Sequence, residues 1–144
     1  MQMTIDTIDR FEGQHWFLSN FSHSAVYLGG LYAPTVEHAF QAAKTERYSI
    51  RKRILETPHP AEAKKLGRRV PLRDDWEEIK LWIMEDLLYQ KFNGADALRW
   101  QLLDTGEATL IEGNTWGDKF WGVCGGEGEN RLGHLLMKVR KDLR

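Results

Sequence analysis

The sequence predicts an α+β protein: a single helix-dominated domain, residues 1–144, with a few short strands. Three observations carry this. Apolar residues recur at helical spacing over most of the chain beyond Pro34. Strand-like alternation is confined to the N-terminal region and the neighbourhood of residue 110. No regular alternation of strand and helix runs through the chain, which argues against a Rossmann-type sheet. A chain of 144 residues leaves no room for two full domains, yet buries roughly 68–70% of its unfolded surface.

Taken in order, Thr4–Phe11 alternates weakly between β-branched and charged residues and reads as a short strand. Phe17-Leu18-Ser19-Asn20-Phe21 reads as an aromatic-rich loop. Ala25–Leu28 and Leu31-Tyr32 flank Gly29-Gly30, a pair suited to the positive φ angles of a primed hairpin turn. Thr35 is the expected N-cap of a helix over Val36–Thr45, with Glu37 in its first turn and Val36, Ala39, Phe40 and Ala43 facing the core. Further helices are expected over Ser49–Leu55, ended by Pro58 and Pro60, and over Ala61–Leu66, stopped by Gly67. The longest starts at Asp74 or Asp75 and runs to about Phe92, with Trp76, Ile79, Ile83 and Leu87 on its apolar side. Ala95–Leu103 is helical, with Gly106 just past its end, and Thr109–Ile111 is a short strand. Glu112–Asn130 is a long loop rich in Gly and Trp, and Asn130 caps a last helix, Arg131–Leu143, that buries Leu132, Leu135, Leu136 and Val139.

Composition excludes several classes. Hydrophobic residues are 42% and charged residues 28%, with 13 Gly and 4 Pro, which rules out collagen-like, low-complexity and disordered chains. Lys and Arg number 20 against 21 Asp and Glu, so the basic excess of a non-specific nucleic-acid binder is missing. A lone cysteine, Cys124, allows no internal disulfide, and no Cys/His spacing indicates a zinc site. Met1–Arg10 lacks the apolar core of a secretory signal, and no stretch approaches a membrane span. A cytoplasmic location, away from membranes, is the expectation.

Four segments carry candidate chemistry. In the run Thr35 to Lys44, Glu37 and Lys44 are two helical turns apart with Gln41 between them, an acid and an amine on one stripe. Spacing alone favours an exposed polar face over a site, and His38 reads as packed or capping. The second is Glu112 to Val123, which holds Asn114, Trp116, Asp118 and Trp121 among glycines that let a backbone approach a ligand. Indole faces stack on planar bases, and a carboxylate between two Trp is placed for desolvation and general-base work. The competing reading is a loop that caps the core, with Trp filling space.

The third, Gly125 to Gly133, resembles a phosphate loop only loosely, because Glu127 and Glu129 repel phosphate. The last, Leu66-Gly67-Arg68-Arg69, sets arginines suited to phosphate behind a helix end, although a solvated terminus explains them equally well.

In order and wording these segments resemble the NADAR superfamily, named for association with NAD and ADP-ribose, and in particular its YbiA-like members. The resemblance rests on Phe17–Phe21, Thr35–Lys44, Leu66-Gly67-Arg68, Asp75-Trp76 and Lys91-Phe92. It continues through Leu110–Asn114, Trp116-Gly117-Asp118, Trp121-Gly122-Val123, Gly128, Asn130, Leu132-Gly133 and Leu136-Met137, and so spans essentially the whole chain. It implies an N-glycosidase that hydrolyses a bond between ribose C1 and nitrogen. The implied substrates are phosphorylated ribosylamino-pyrimidine intermediates of riboflavin synthesis, or ADP-ribosylated guanine, free or in DNA. No cofactor or metal is expected.

Glu37, Lys44 and Asp118 are the expected catalytic residues. Asn20, Phe21, Arg68, Trp76, Asn114, Trp116, Trp121 and Asn130 are the expected substrate contacts. The segments bearing Asn20, Trp116 and Trp121 are expected to meet the helix bearing Glu37 and Lys44. A cationic Lys44 opposes an oxocarbenium ion, so it either holds phosphate or steers a carboxylate, or attacks an opened ribose as a neutral amine. A module that binds ADP-ribose without catalysis is the main alternative, ahead of a structural protein, and needs no Glu37, Lys44 and Asp118 together.

Overall fold

The computed structural model describes residues 6–144. In chain order it contains β1 (Thr7–Ile8), a 3-10 helix (Gly13–Leu18), β2 (Val26–Leu28), β3 (Leu31–Ala33), α1 (Val36–Ala42), α2 (Tyr48–Leu55) and α3 (Pro60–Gly67). There follow α4 (Trp76–Asn93), α5 (Asp96–Asp104), β4 (Thr109–Leu110), β5 (Gly113–Asn114), β6 (Val123–Cys124) and α6 (Arg131–Leu143). The class is the expected one, α+β and dominated by helices. None of the described helices is long and apolar enough to cross a membrane.

The described residues divide into two compact units, one formed by residues 6–19 with 95–144 and the other by residues 20–94. In the unit of residues 20–94, β2 and β3 form an antiparallel hairpin with Val26 opposite Ala33. Gly29 and Gly30 have φ of +54° and +82°, the two positive angles that a type I′ turn requires. Thr35 caps α1 as expected, its hydroxyl accepting from the His38 N–H at 3.0 Å. Helix α1 packs against α2, α3 and α4, and every one of its residues is buried, including Glu37, His38 and Gln41. The exposed polar face favoured by spacing is therefore absent. The helix also ends at Ala42 rather than Thr45, so Lys44 lies in the turn beyond it.

The other unit holds the remaining elements. Strand β1 pairs in parallel with β4, Thr7 opposite Thr109 and Ile8 opposite Leu110, and α6 packs on β4 through its Leu132, Leu136 and Val139 face. The expected N-terminal strand is thus shorter; its Thr4 and Ile5 lie outside the described residues. Phe17 and Leu18 belong to the 3-10 helix rather than to a loop. The expected loop from Glu112 to Asn130 contains a two-residue parallel ladder, β5 with β6, pairing Gly113 with Val123 and Asn114 with Cys124.

Candidate active site

In the unit of residues 20–94, the chemistry collects around the first turn of α1. The Glu37 N–H donates to the Asn20 carbonyl at 3.1 Å, which ties the Asn20–Ser22 segment to the helix start. The Glu37 carboxylate, in a residue only 7% exposed, accepts from Gln41 Nε2 at 3.0 Å. That bond spans one helical turn, the separation at which side chains on one face meet.

Lys44 is half-buried. Burial pushes its ammonium below the ordinary lysine range; the Glu37 carboxylate opposes that shift, and the nearby Arg68 and Lys64 charges add to it. Arg68 is exposed at the C-terminal cap of α3. Lys64, on the same helix, places Nζ 6.0 Å from the centre of the Phe21 ring, a cation–π distance. Glu37, Arg68 and Lys64 thus all act on the Lys44 ammonium, and the three cations together are an electrostatic setting for a negatively charged group. Asn20 donates from Nδ2 to Met84 Sδ at 3.6 Å, while its Oδ1 is buried with no hydrogen-bond partner.

Trp76 differs from expectation. It is 5% exposed and packs on Phe40 with ring centres 5.0 Å apart, so its indole belongs to the core between α1 and α4 and offers no open face to a base. The reason is position: it opens α4 on the side that turns inward.

The Glu112–Asn130 segment, in the other unit, is held by its own polar groups. Asn114 donates from Nδ2 to the Asp118 carbonyl at 2.9 Å and to Glu112 Oε2 at 3.0 Å, and its Oδ1 accepts from the Asp118 N–H at 3.1 Å. Asp118 Oδ1 in turn accepts from the N–H groups of Phe120 and Trp121 at 3.1 and 2.9 Å. Both ends of the Asn114 amide are committed to the loop rather than offered to a sugar. Gly122 makes this packing possible, since a Cβ there meets Glu112 Oε2 and comes 2.7 Å from Asn114 Nδ2.

Trp116 is 59% exposed, whereas Trp121 is half-buried with its ring edge-on to Phe120, centres 4.9 Å apart. Trp116 borders a cleft of about 430 Å³ whose walls include Arg10, Glu12, Asn114, Gly125 and Gly126.

Asn130 corrects the expected cap. It has a left-handed φ of +51°, and its side chain makes no capping bond to α6. Instead Oδ1 accepts from the Glu112 N–H at 3.0 Å and Nδ2 donates to the Leu110 carbonyl at 2.9 Å. The amide is a buried strut, and the left-handed backbone turns it away from the helix N–H groups.

Of the expected residues, Asn20, Phe21, Glu37, Lys44 and Arg68 belong to the unit of residues 20–94, as does Trp76, while Asn114, Trp116, Asp118, Trp121 and Asn130 belong to the other. Sequence reasoning passed over Lys64, and gave no role to Glu112 and Lys91 although both stand within its motifs. Lys91 is 1% exposed; it donates from Nζ to Ser22 Oγ at 2.8 Å, and burial lowers its pKa to about 7. A signal was present, because Lys91 continues the i, i+3, i+4, i+7 stripe begun by Met84, Leu87 and Leu88.

Comparison with known proteins matches this pattern. The family model described as the NADAR domain covers residues 9–144. N-glycosidase YbiA of Escherichia coli (strain K12) is 38% identical over 99% of this chain and 91% of its own. A riboflavin biosynthesis protein of Vibrio vulnificus, VVA0006, is 36% identical over 90% of this chain, a match confined to 36% of that longer protein. The NMR structure of E. coli YbiA superposes with a TM-score of 0.84 at 38% identity, over 98% of this chain and 87% of that one. With one family model over nearly its whole length, and a solved relative of the same fold, the chain belongs to the NADAR domain family.

Proposed function

We propose that the protein is an N-glycosidase that hydrolyses the ribose C1–N bond of a phosphorylated ribosylamino-pyrimidine. The observation that carries this reading is the buried Glu37 carboxylate, hydrogen-bonded by Gln41, in the same electrostatic neighbourhood as Lys44, Arg68 and Lys64. The names of its relatives, N-glycosidase and riboflavin biosynthesis protein, support the reaction and the substrate class. Breaking the bond builds positive charge on the sugar, and a fixed carboxylate stabilises that charge. Glu37 supplies it and passes a proton to the leaving nitrogen or from water. The role expected of Asp118 is tested by itself: Asp118→Asn keeps an acceptor for the Phe120 and Trp121 N–H groups and removes only the charge, so an unchanged kcat dismisses it.

Lys44 acts as a nucleophile in this reading. Its depressed pKa raises the share of neutral amine at neutral pH. The ribose ring opens first, its C1–O4 electron pair and a proton going to O4; the Nζ lone pair then adds to C1, and the C1–N bond breaks with its electron pair and one proton of the lysine nitrogen going to the departing base. Water then releases the resulting imine. Arg68 and Lys64 hold the phosphate, and Asn20 Oδ1 accepts a sugar hydroxyl.

Borohydride added during turnover tests this. The expected result is a reduced sugar adduct on Lys44, mapped by mass spectrometry; no adduct, with substantial activity in Lys44→Ala, leaves the carboxylates to act alone. A second reading, hydrolysis of ADP-ribosylated guanine, is favoured by the same cations, since three of them suit a diphosphate as well as a monophosphate. Incubation with each substrate and detection of free base decides between them. Release from neither, with ADP-ribose still bound, establishes a binding module.

A further inference from the structure

We infer that Gln41 and Gly67 form a positioning pair that sets the Glu37 carboxylate, an inference that rests on the catalytic role proposed for Glu37. Gln41 is 5% exposed and donates to Glu37 Oε1 at 3.0 Å. Its own Oε1 is buried without a hydrogen-bond partner, so the amide is not anchored from that side by any donor. It is anchored by shape. A Cβ built on Gly67 collides with Gln41 Oε1, and comes 2.8 Å from Cδ and 3.0 Å from the Gln41 Cβ. Gly67 is the last residue of α3, is buried, and has no left-handed backbone. Its conformation admits any residue, so what requires glycine here is the approach of the Gln41 amide.

The bare Gly67 surface is the wall against which the amide packs, with one of its two N–H groups on Glu37. A carboxylate held by a rigid donor keeps its rotamer, and orientation of that kind is worth large factors in rate. The motif residues Gln41 and Gly67, 26 positions apart in the sequence, thus share one task.

The test combines four variants, Gln41→Met, Gly67→Ala, Gln41→Ala and Gln41→Ala/Gly67→Ala, with steady-state kinetics on a ribosylamino-pyrimidine phosphate. Gln41→Met keeps the volume and removes the donor; its kcat is expected to fall about tenfold to a hundredfold, with KM within threefold or so of wild type by the same argument. Gly67→Ala is expected to lose a similar factor, because its methyl displaces the amide. In Gln41→Ala/Gly67→Ala the amide that the methyl would strike is gone and only the 3.0 Å approach to the Cβ of residue 41 remains, so the double variant should be about as fast as Gln41→Ala alone. Additive losses, or a Gln41→Met enzyme with wild-type kcat, overturn the inference.

A readout independent of turnover separates this from the catalytic assignment. Crystal structures of wild type and Gly67→Ala should differ in the position of the Glu37 carboxylate, and an unmoved carboxylate overturns the pair. Full activity in Glu37→Gln, with the carboxylate displaced in Gly67→Ala, overturns the role of Glu37 and leaves the pair standing as geometry.

Discussion

Lys91 Nζ donates to Ser22 Oγ at 2.8 Å across 69 positions of sequence, with the lysine buried among apolar residues of α4. Burial holds this amine at a pKa of about 7, against about 10.4 in an unfolded chain. Between those values the unfolded state binds more protons than the native one, so stability rises with pH across that window. The cost of the buried charge is fully present below the folded value and disappears above the unfolded one. Lys91→Met removes the effect. Its unfolding free energy relative to wild type should be most favourable near pH 6 and decline toward pH 9, by at most about 1.4 kcal/mol per pH unit. Urea titrations at four pH values check this, and a constant difference would refute it.

Thr35 and His38 hold each other at the start of α1. His38 Nε2 lies 2.9 Å from the Thr57 carbonyl, which only accepts, so Nε2 carries the proton and Nδ1 accepts from the Thr35 hydroxyl at 2.8 Å. Burial lowers the His38 pKa, the Thr57 bond partly opposing. Thr35→Val keeps the shape and loses both hydroxyl bonds, and it should cost about 1–2 kcal/mol of stability. Thr35→Ser should recover most of that loss. Chemical denaturation of the two variants measures it.

Asn130 combines a left-handed backbone with two buried side-chain bonds. Asn130→Ala loses both bonds, leaves the Glu112 N–H and the Leu110 carbonyl without them, and strains the backbone. The expected loss exceeds about 2 kcal/mol. Asn130→Gly removes the strain but not the lost bonds, and should fall between Asn130→Ala and wild type. An alanine variant as stable as wild type would dismiss the strut.

Trp116 is the exposed tryptophan beside the unit's cleft. Trp116→Ala should leave the melting temperature within a degree or two, as for ordinary surface substitutions. Loss of a stacked base costs about 1–3 kcal/mol in binding, which is about fivefold to 150-fold in KM. Unfolding of the variant, or an unchanged KM, would contradict a role in holding the heterocycle.

Much of the fold was legible because its signals are local. Thr35 ahead of Val36 marks a cap, Gly29-Gly30 marks a primed turn, and the apolar stripes of α4 and α6 repeat at helical spacing. The expected ends of α2 to α6 lie within about two residues of the observed ones, as end-fraying allows. The short parallel pairings were not legible, because each is made through two residues, β1 with β4 across most of the chain and β5 with β6 within one loop. Nothing in two residues records a partner.

By itself the sequence determined which chemical groups the chain carries and which family pattern they form, because motif order and residue type are properties of the chain alone. Only the tertiary structure decided which groups are buried. It turned the polar side of α1 inward by packing α2, α3 and α4 around it, placing Glu37, His38 and Gln41 among buried neighbours. It drew Trp76 into the core, and made struts of Asn114 and Asn130. Burial is a sum over neighbours supplied by several elements at once, and it changes what a group does. A lysine in water is a plain cation, whereas the same residue as Lys91, closed off from solvent, titrates near neutrality.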